Sequence, residues 1–161
     1  MPKVLVIGYG NSLRGDDNVG CHVARILERH YHDDPEVRVI GSHQLTPEMA
    51  EDLSASSFVL FIDAAAGLHP GKIETTAITA RPGPASFAHH LDPASLLSAA
   101  MELYGSVPRA QLLTIVGASF EMGDRFSPVI AAGIPDLLNA AKDVVSDWVG
   151  QCAGALARTH S

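Results

Sequence analysis

The chain has 161 residues, of which 47% are hydrophobic and 18% charged, and its 18 acidic against 11 basic side chains give a formal net charge of −7. This apolar content excludes a disordered chain, and the negative charge argues against binding to nucleic acid or anionic membranes, which require basic patches. No apolar run approaches the ~20 residues of a membrane span, and the two cysteines form no CxxC pair. We therefore expect a cytoplasmic protein with one domain at 1–150 and a flexible C-terminal tail at 151–161.

Hydrophobic patterning in the first part of the chain predicts alternating strands and helices. The predicted strands lie at 3–8, 36–40 and 58–62, and the predicted helices at 19–30 and 47–55. Strands joined by helices in this way form right-handed βαβ units. The pattern therefore predicts an α/β fold whose parallel sheet carries helices on both faces.

The connection after the third predicted strand departs from this alternation. Only eight residues, 64–71, separate it from an alternating strand at 72–78, whereas a parallel crossover needs a dozen or more. We therefore expect the fourth strand to be antiparallel, at an edge of the sheet.

The rest of the chain predicts a helix at 93–104, a strand at 112–116 and a long last helix that begins at Ser127. Pro135 lies inside that last helix, where a proline removes a backbone hydrogen bond and clashes with the preceding turn. We expect a kink or a break at Gly133.

Polar side chains follow the first three predicted strands, at the sheet edge where open α/β folds bind ligands. The first loop contains Asp16 and Asp17. A dinucleotide site there would need a glycine where Leu13 stands, and two adjacent carboxylates would repel a pyrophosphate. A helix cap explains one of these aspartates and leaves the other available.

A second carboxylate, Asp63, ends the most apolar predicted strand and is a candidate to converge with Asp17. Loop histidines, His89 above all and then His43, add imidazoles at the same rim. Two carboxylates and one imidazole make an incomplete site for a first-row metal, or an acid/base group. From the residues alone, this rim is suited to binding a metal or a polar peptide.

Four segments together resemble the hydrogenase maturation proteases, the endopeptidases that trim the C-terminal extension from nickel-iron hydrogenase large subunits. They are Gly8-Tyr-Gly-Asn-Ser-Leu-Arg-Gly-Asp-Asp17 with Val19-Gly20, Phe61-Ile-Asp63-Ala64, His89 with Leu91, and Phe126-Ser127-Pro128. They follow the order found in the family and cover nearly the whole chain. The resemblance implies a three-layer α/β/α sandwich with a mixed five-stranded sheet, one strand antiparallel.

The resemblance also implies that Asp17, Asp63 and His89 contact a nickel ion that the substrate carries, so we expect no tightly held cofactor. The expected partner is the large-subunit precursor, cut after nickel insertion. Asp17 or Asp63 would act as general base toward water, or the two carboxylates would share a proton as in aspartic-type proteases. The alternatives are a non-catalytic metal-recognition or chaperone module for the same subunit, and an unrelated small-molecule hydrolase.

The loop after the second predicted strand departs from the family pattern. His43 and Gln44 stand where many members carry an Asp-Gly-Gly-Thr-like stretch, and they resemble the branch that serves bidirectional, NAD-linked hydrogenases. The hypothesis is that they bind substrate, and the alternative is that this loop only packs beside the site.

Overall fold

A computed structural model of the chain describes residues 2–82 and 91–159. Within these ranges the strands are β1 Val4–Tyr9, β2 Val37–Ser42, β3 Phe58–Ala65, β4 Ile73–Ile78 and β5 Arg109–Val116. The helices are α1 Val19–His30, α2 Met49–Ser54, α3 Pro93–Tyr104 and α4 Pro128–Thr159, and a short 3₁₀ helix at Gly15–Asn18 precedes α1.

The strands form one mixed sheet in the order β2-β1-β3-β5-β4. The first three strands and β5 are mutually parallel, whereas β4 pairs antiparallel with β5 at the outer edge. The antiparallel edge strand predicted from the short connection is confirmed. The register aligns Tyr9 of β1 with Ser42 of β2, and Gly8 with Ile62 of β3. The carboxyl ends of β1, β2 and β3 therefore lie side by side.

Alternating side chains of the sheet divide the core into two layers. Val4, Val6 and Leu60 pack on one face with α1 and α4, where the Trp148 ring stacks on Phe58 at a centroid distance of 5.0 Å. Leu5 and other residues of β1 and β3 pack on the other face with α2 and α3. The three-layer α/β/α sandwich is thereby confirmed.

The last helix differs from its prediction at two points. It is continuous through Pro135, so the predicted break was wrong. It also extends past residue 150 to Thr159, into the segment expected to be a tail. Buried side chains on both sides of the proline, Ile130 and Leu137, hold the helix against the sheet, and this packing outweighs one missing hydrogen bond. Beyond Gly150 no proline stops the helix, and alanines favour it. The flexibility of 151–161 stays a prediction.

A membrane-crossing helix is not found in the described part of the chain: none of its helices is long and apolar enough.

Candidate functional site

Three glycines let the loop after β1 and the start of α1 approach the strand ends closely. A Cβ on Gly8 would lie 2.1 Å from the carbonyl oxygen of Gly20, and a Cβ on Gly20 would lie 2.3 Å from that of Ile62. A Cβ on Gly10 would lie only 1.8 Å from the carbonyl oxygen of Asp17. Only glycine fits at these positions without a backbone shift, so the motif holds Asp17 against the end of β1.

Replacing Gly10 by alanine should destabilise the protein by about 1–3 kcal/mol or more, because the new methyl group must displace the Asp17 backbone. Urea denaturation measures this loss. Gly150→Ala is the matched control: a Cβ there meets no atom within 4 Å, and alanine in a helix should stabilise by about 0.5–1 kcal/mol. Equal stability of Gly10→Ala and the unaltered chain would contradict the close approach.

Asp16 is a buried anchor between the first loop and the segment before α4. Its side chain is 0% exposed, and its carboxylate accepts four hydrogen bonds. The donors are the backbone N–H of Ala118 (2.8 Å), of Ser119 (2.9 Å) and of Ser127 (2.7 Å), and the Ser127 hydroxyl (2.7 Å). Burial alone would raise the pKa of Asp16, but these bonds, those from Ser127 first, lower it below its usual value.

The role of Asp16 corrects the helix-cap interpretation of the two aspartates. Neither the 3₁₀ helix nor α1 receives a side-chain cap. Asp16 instead ties the loop to residues more than 100 positions later, and the backbone bonds from Gly15 and Asp16 to the carbonyls of Gly123 and Ser119, both 3.0 Å, reinforce the link. The second aspartate, Asp17, is thereby fixed at the sheet edge.

Asp17 and Asp63 meet at the carboxyl ends of β1 and β3, together with Tyr9. The Oδ2 atom of Asp17 accepts a hydrogen bond from the Asn11 N–H at 2.8 Å, and the Oδ1 atom of Asp63 accepts one from the Ala64 N–H at 2.8 Å. The Tyr9 hydroxyl donates to the Asp63 carboxyl. Asp63 lies inside β3, which continues to Ala65 beside β5, and not after the strand as predicted.

The environment of Asp63 favours its protonated form. Burial is the largest effect and raises the pKa of Asp63, and the charge of Asp17 raises it further. The hydrogen bonds from Tyr9 and from the Ala64 N–H lower it. The resulting pKa is about 7. Burial, together with the charge of Asp63, also raises the pKa of Tyr9, which stays a neutral donor. This edge therefore holds two interacting carboxyl groups, one of which exchanges its proton near neutral pH.

Removing the Tyr9 hydroxyl should raise the pKa of Asp63 above about 7, because that hydroxyl stabilises the carboxylate. An NMR titration of the Asp63 carboxyl carbon in Tyr9→Phe measures the shift. Tyr104→Phe removes an exposed tyrosine at the end of α3 and should leave the titration unchanged. A pKa that stays the same or falls in Tyr9→Phe would refute the contact.

Sequence reasoning missed the roles of Tyr9 and Asp16. A tyrosine between two glycines at the end of a buried strand was a usable signal, since its hydroxyl needs a partner when the ring is covered. No local signal distinguishes Asp16 from Asp17, because the donors to Asp16 lie more than 100 residues later in the chain.

The predicted histidines are placed only in part. His43 and Gln44 are exposed directly after β2, whose last residue, Ser42, accepts a hydrogen bond from the Gly10 N–H at 3.1 Å; they lie at the rim beside the carboxyl groups. His89 lies outside the described residues. Among the residues that are described, no three His, Cys, Asp or Glu side chains are grouped so as to hold a metal ion.

Comparisons with solved structures identify the fold. The hydrogenase maturating endopeptidase HybD from E. coli is 23% identical with a TM-score of 0.71, over 90% of this chain and 93% of its own. A [NiFe] hydrogenase maturation protease HycI from Thermococcus kodakarensis is 22% identical with a TM-score of 0.71, over 89% and 92%. A hydrogenase 2 maturation peptidase from a Thaumarchaeota archaeon is 26% identical with a TM-score of 0.61, over 92% and 98%.

At the level of sequence, no protein-family model matches the chain, and no curated protein matches it. The solved structures nevertheless align with nearly the whole of it, and they share the name of the family that the motifs resemble. The predicted resemblance is thus confirmed, and the chain has the fold of the hydrogenase maturation proteases.

Proposed function

We propose that this protein is an endopeptidase that removes the C-terminal extension of a [NiFe] hydrogenase large-subunit precursor after nickel insertion. The observation that carries the proposal is the pair of carboxyl groups at the strand ends, Asp17 and Asp63, of which Asp63 has a pKa of about 7. A general base works best when its pKa lies near the operating pH. The names of the structural neighbours support the same activity.

In the proposed reaction Asp63 accepts a proton from water as that water attacks the scissile carbonyl carbon. The carbon–nitrogen bond then breaks, and Asp63 returns the proton to the leaving amine. Burial, and after it the charge of Asp17, keeps the pKa of Asp63 high, and Tyr9 holds the Asp63 carboxyl in place. Burial within the sheet edge strengthens each of these interactions by lowering the local dielectric constant.

Nickel enters this proposal as part of the substrate. Asp17, Asp63 and His89 are proposed to contact the ion that the precursor already holds, His89 on the strength of the sequence motif alone. Carboxylates are hard ligands and nickel is a borderline metal, so the contact is weak and reversible. Such a contact suits an inspection step, in which the protease tests for nickel without extracting it.

The loop after β2 is proposed to bind the same substrate. His43 and Gln44 are exposed at the rim, within reach of a chain that enters the site from the β2 side. Their match to the branch that serves NAD-linked hydrogenases stays a prediction.

The test mixes the purified protein with the nickel-loaded precursor and follows the precursor by mass spectrometry. We expect loss of one C-terminal peptide with the unaltered protein and with Asp143→Asn, an exposed aspartate on α4. Asp17→Asn, Asp63→Asn and His89→Ala should abolish the loss. Tight binding of the precursor without any trimming would instead support the chaperone alternative.

A further inference from the structure

The outer edge of β2 lies beside a groove that the candidate site does not use. β2 is the first strand of the sheet order, and a cavity of about 710 Å³ runs along it, lined by its residues Val37–Gly41, by the end of α1 and the loop that joins α1 to β2, and by Pro2. Side chains alternate between the faces of a strand, so a cavity on one face would touch every second residue. Contact with five consecutive residues places this groove along the backbone edge.

The hydrogen bonds to β1 show which backbone groups of β2 face the groove. The Glu36 carbonyl accepts a hydrogen bond from the Val4 N–H of β1 at 3.0 Å. The Ser42 carbonyl accepts one at 3.1 Å from the N–H of Gly10, which directly follows β1. In a parallel ladder the N–H and C=O of one residue point to the same side, and successive residues alternate. Val39 and Gly41 therefore direct their N–H and C=O groups outward, and within residues 2–82 and 91–159 these groups have no hydrogen-bond partner.

We propose that the C-terminal extension of the hydrogenase large-subunit precursor adds to β2 as an antiparallel strand, an inference that rests on the proposed function. An unpaired edge is a template for an extended peptide. The extension begins at the cleaved bond, at the carboxyl end of the sheet, and follows β2 toward its N-terminal end. This direction is antiparallel, which is also the slightly more stable pairing.

The register sets how far from the cut this pairing begins. Ser42 of β2 pairs with Tyr9 of β1, and Tyr9 and Asp63 directly follow the last paired residues of β1 and β3, Gly8 and Ile62. Ser42, Tyr9 and Asp63 therefore stand at the same level of the sheet. An added strand stands three strand spacings from β3, about 14 Å, which four or five extended residues cover. The extension therefore reaches Gly41 about five residues after the cut and Val39 two residues later, and its path passes the exposed His43 and Gln44.

The other edge of the sheet fits this role less well. The cavity beside β4, of about 400 Å³, is lined by Ala77–Ala80 and by Val107–Gln111. These residues lie at the amino end of β5, the end of the sheet opposite to Asp63. A peptide in that cavity could not continue directly into the site.

A proline scan of the extension, with the full-length protein and the nickel-loaded precursor, tests the inference. Each proline removes one N–H group, and one lost backbone bond lowers kcat/KM about 3- to 10-fold. We expect this loss at every second position from about the fifth residue after the cut, and the positions between serve as matched controls. A second measurement follows hydrogen exchange at the Val39 and Gly41 amides in the uncut complex with Asp63→Asn. Exchange should slow about tenfold or more with the precursor and not with the mature large subunit.

The outcomes separate the two claims. If the precursor is trimmed but the proline scan shows no alternation in kcat/KM, the added strand is overturned and the proposed function stands. The same holds if hydrogen exchange at the Val39 and Gly41 amides is unchanged in the complex. A precursor that is neither trimmed nor bound would overturn both.

Discussion

Replacing Asp63 by asparagine should abolish trimming and at the same time stabilise the protein at pH 8. Loss of a general base lowers the rate by about 10²–10⁴-fold. Asparagine keeps the acceptor for the Ala64 N–H, so the local structure is preserved. The two effects have one origin. The Asp63 carboxylate activates water, and its buried negative charge lowers the free energy of unfolding.

The raised pKa of Asp63 makes the stability of the protein depend on pH. The pKa of Asp63 is about 7 in the folded protein, above the ordinary value of about 4 for an unfolded chain. The folded state therefore binds the proton more tightly, and the associated stability is fully present below about pH 4 and is lost as pH rises through 7. Allowing for partial solvent screening, Asp63→Asn should be about 2 kcal/mol more stable at pH 8 than the unaltered protein.

Urea denaturation between pH 4 and pH 8 measures this difference. The unaltered protein and Asp143→Asn should lose stability across this range relative to Asp63→Asn. Parallel curves for all three proteins would contradict a raised pKa at Asp63.

Replacing Asp16 by alanine should lower the free energy of unfolding by about 3–5 kcal/mol at pH 7, because up to four part-buried donors lose their acceptor, at about 1 kcal/mol each. The folded pKa of Asp16 is lowered, so its contribution is present above pH 4 and is lost as pH falls through that lowered pKa. Urea denaturation at pH 7 measures the loss.

Ser127→Ala is the graded comparison for Asp16. It removes only the hydroxyl donor and leaves the backbone N–H donors in place, so it should cost about 1 kcal/mol. An Asp16→Ala protein within 1 kcal/mol of the unaltered one would show that Asp16 does not anchor the loop.

Most of the fold could be predicted because most helices and strands have a recognisable pattern in their own stretch of sequence. Helix-spaced apolar residues located α1 and α3, and the short connection before β4 allowed only an antiparallel strand. The end of α4 was not predictable from Gly150, because a single exposed glycine costs a helix only about 1 kcal/mol.

The sequence predicted the two carboxyl groups of the candidate site, Asp17 and Asp63, but not the residues that support them. Asp16 and Asp17 are adjacent and identical in chemistry, and the donors of Ala118, Ser119 and Ser127 decide which of them points inward. Likewise, the contact between Tyr9 and Asp63 depends on the pairing of β1 with β3, which no window of sequence contains. Interactions between distant segments therefore set the chemistry of groups that the sequence alone could only nominate.

The most direct test of the central claim compares nickel-loaded with nickel-free precursor as substrates of the unaltered protein, with intact mass as the readout. We predict that the nickel-loaded precursor loses one C-terminal peptide and that the nickel-free precursor keeps its full mass. Equal trimming of both forms would contradict nickel inspection, and an unchanged mass for the nickel-loaded form would contradict the proposed endopeptidase.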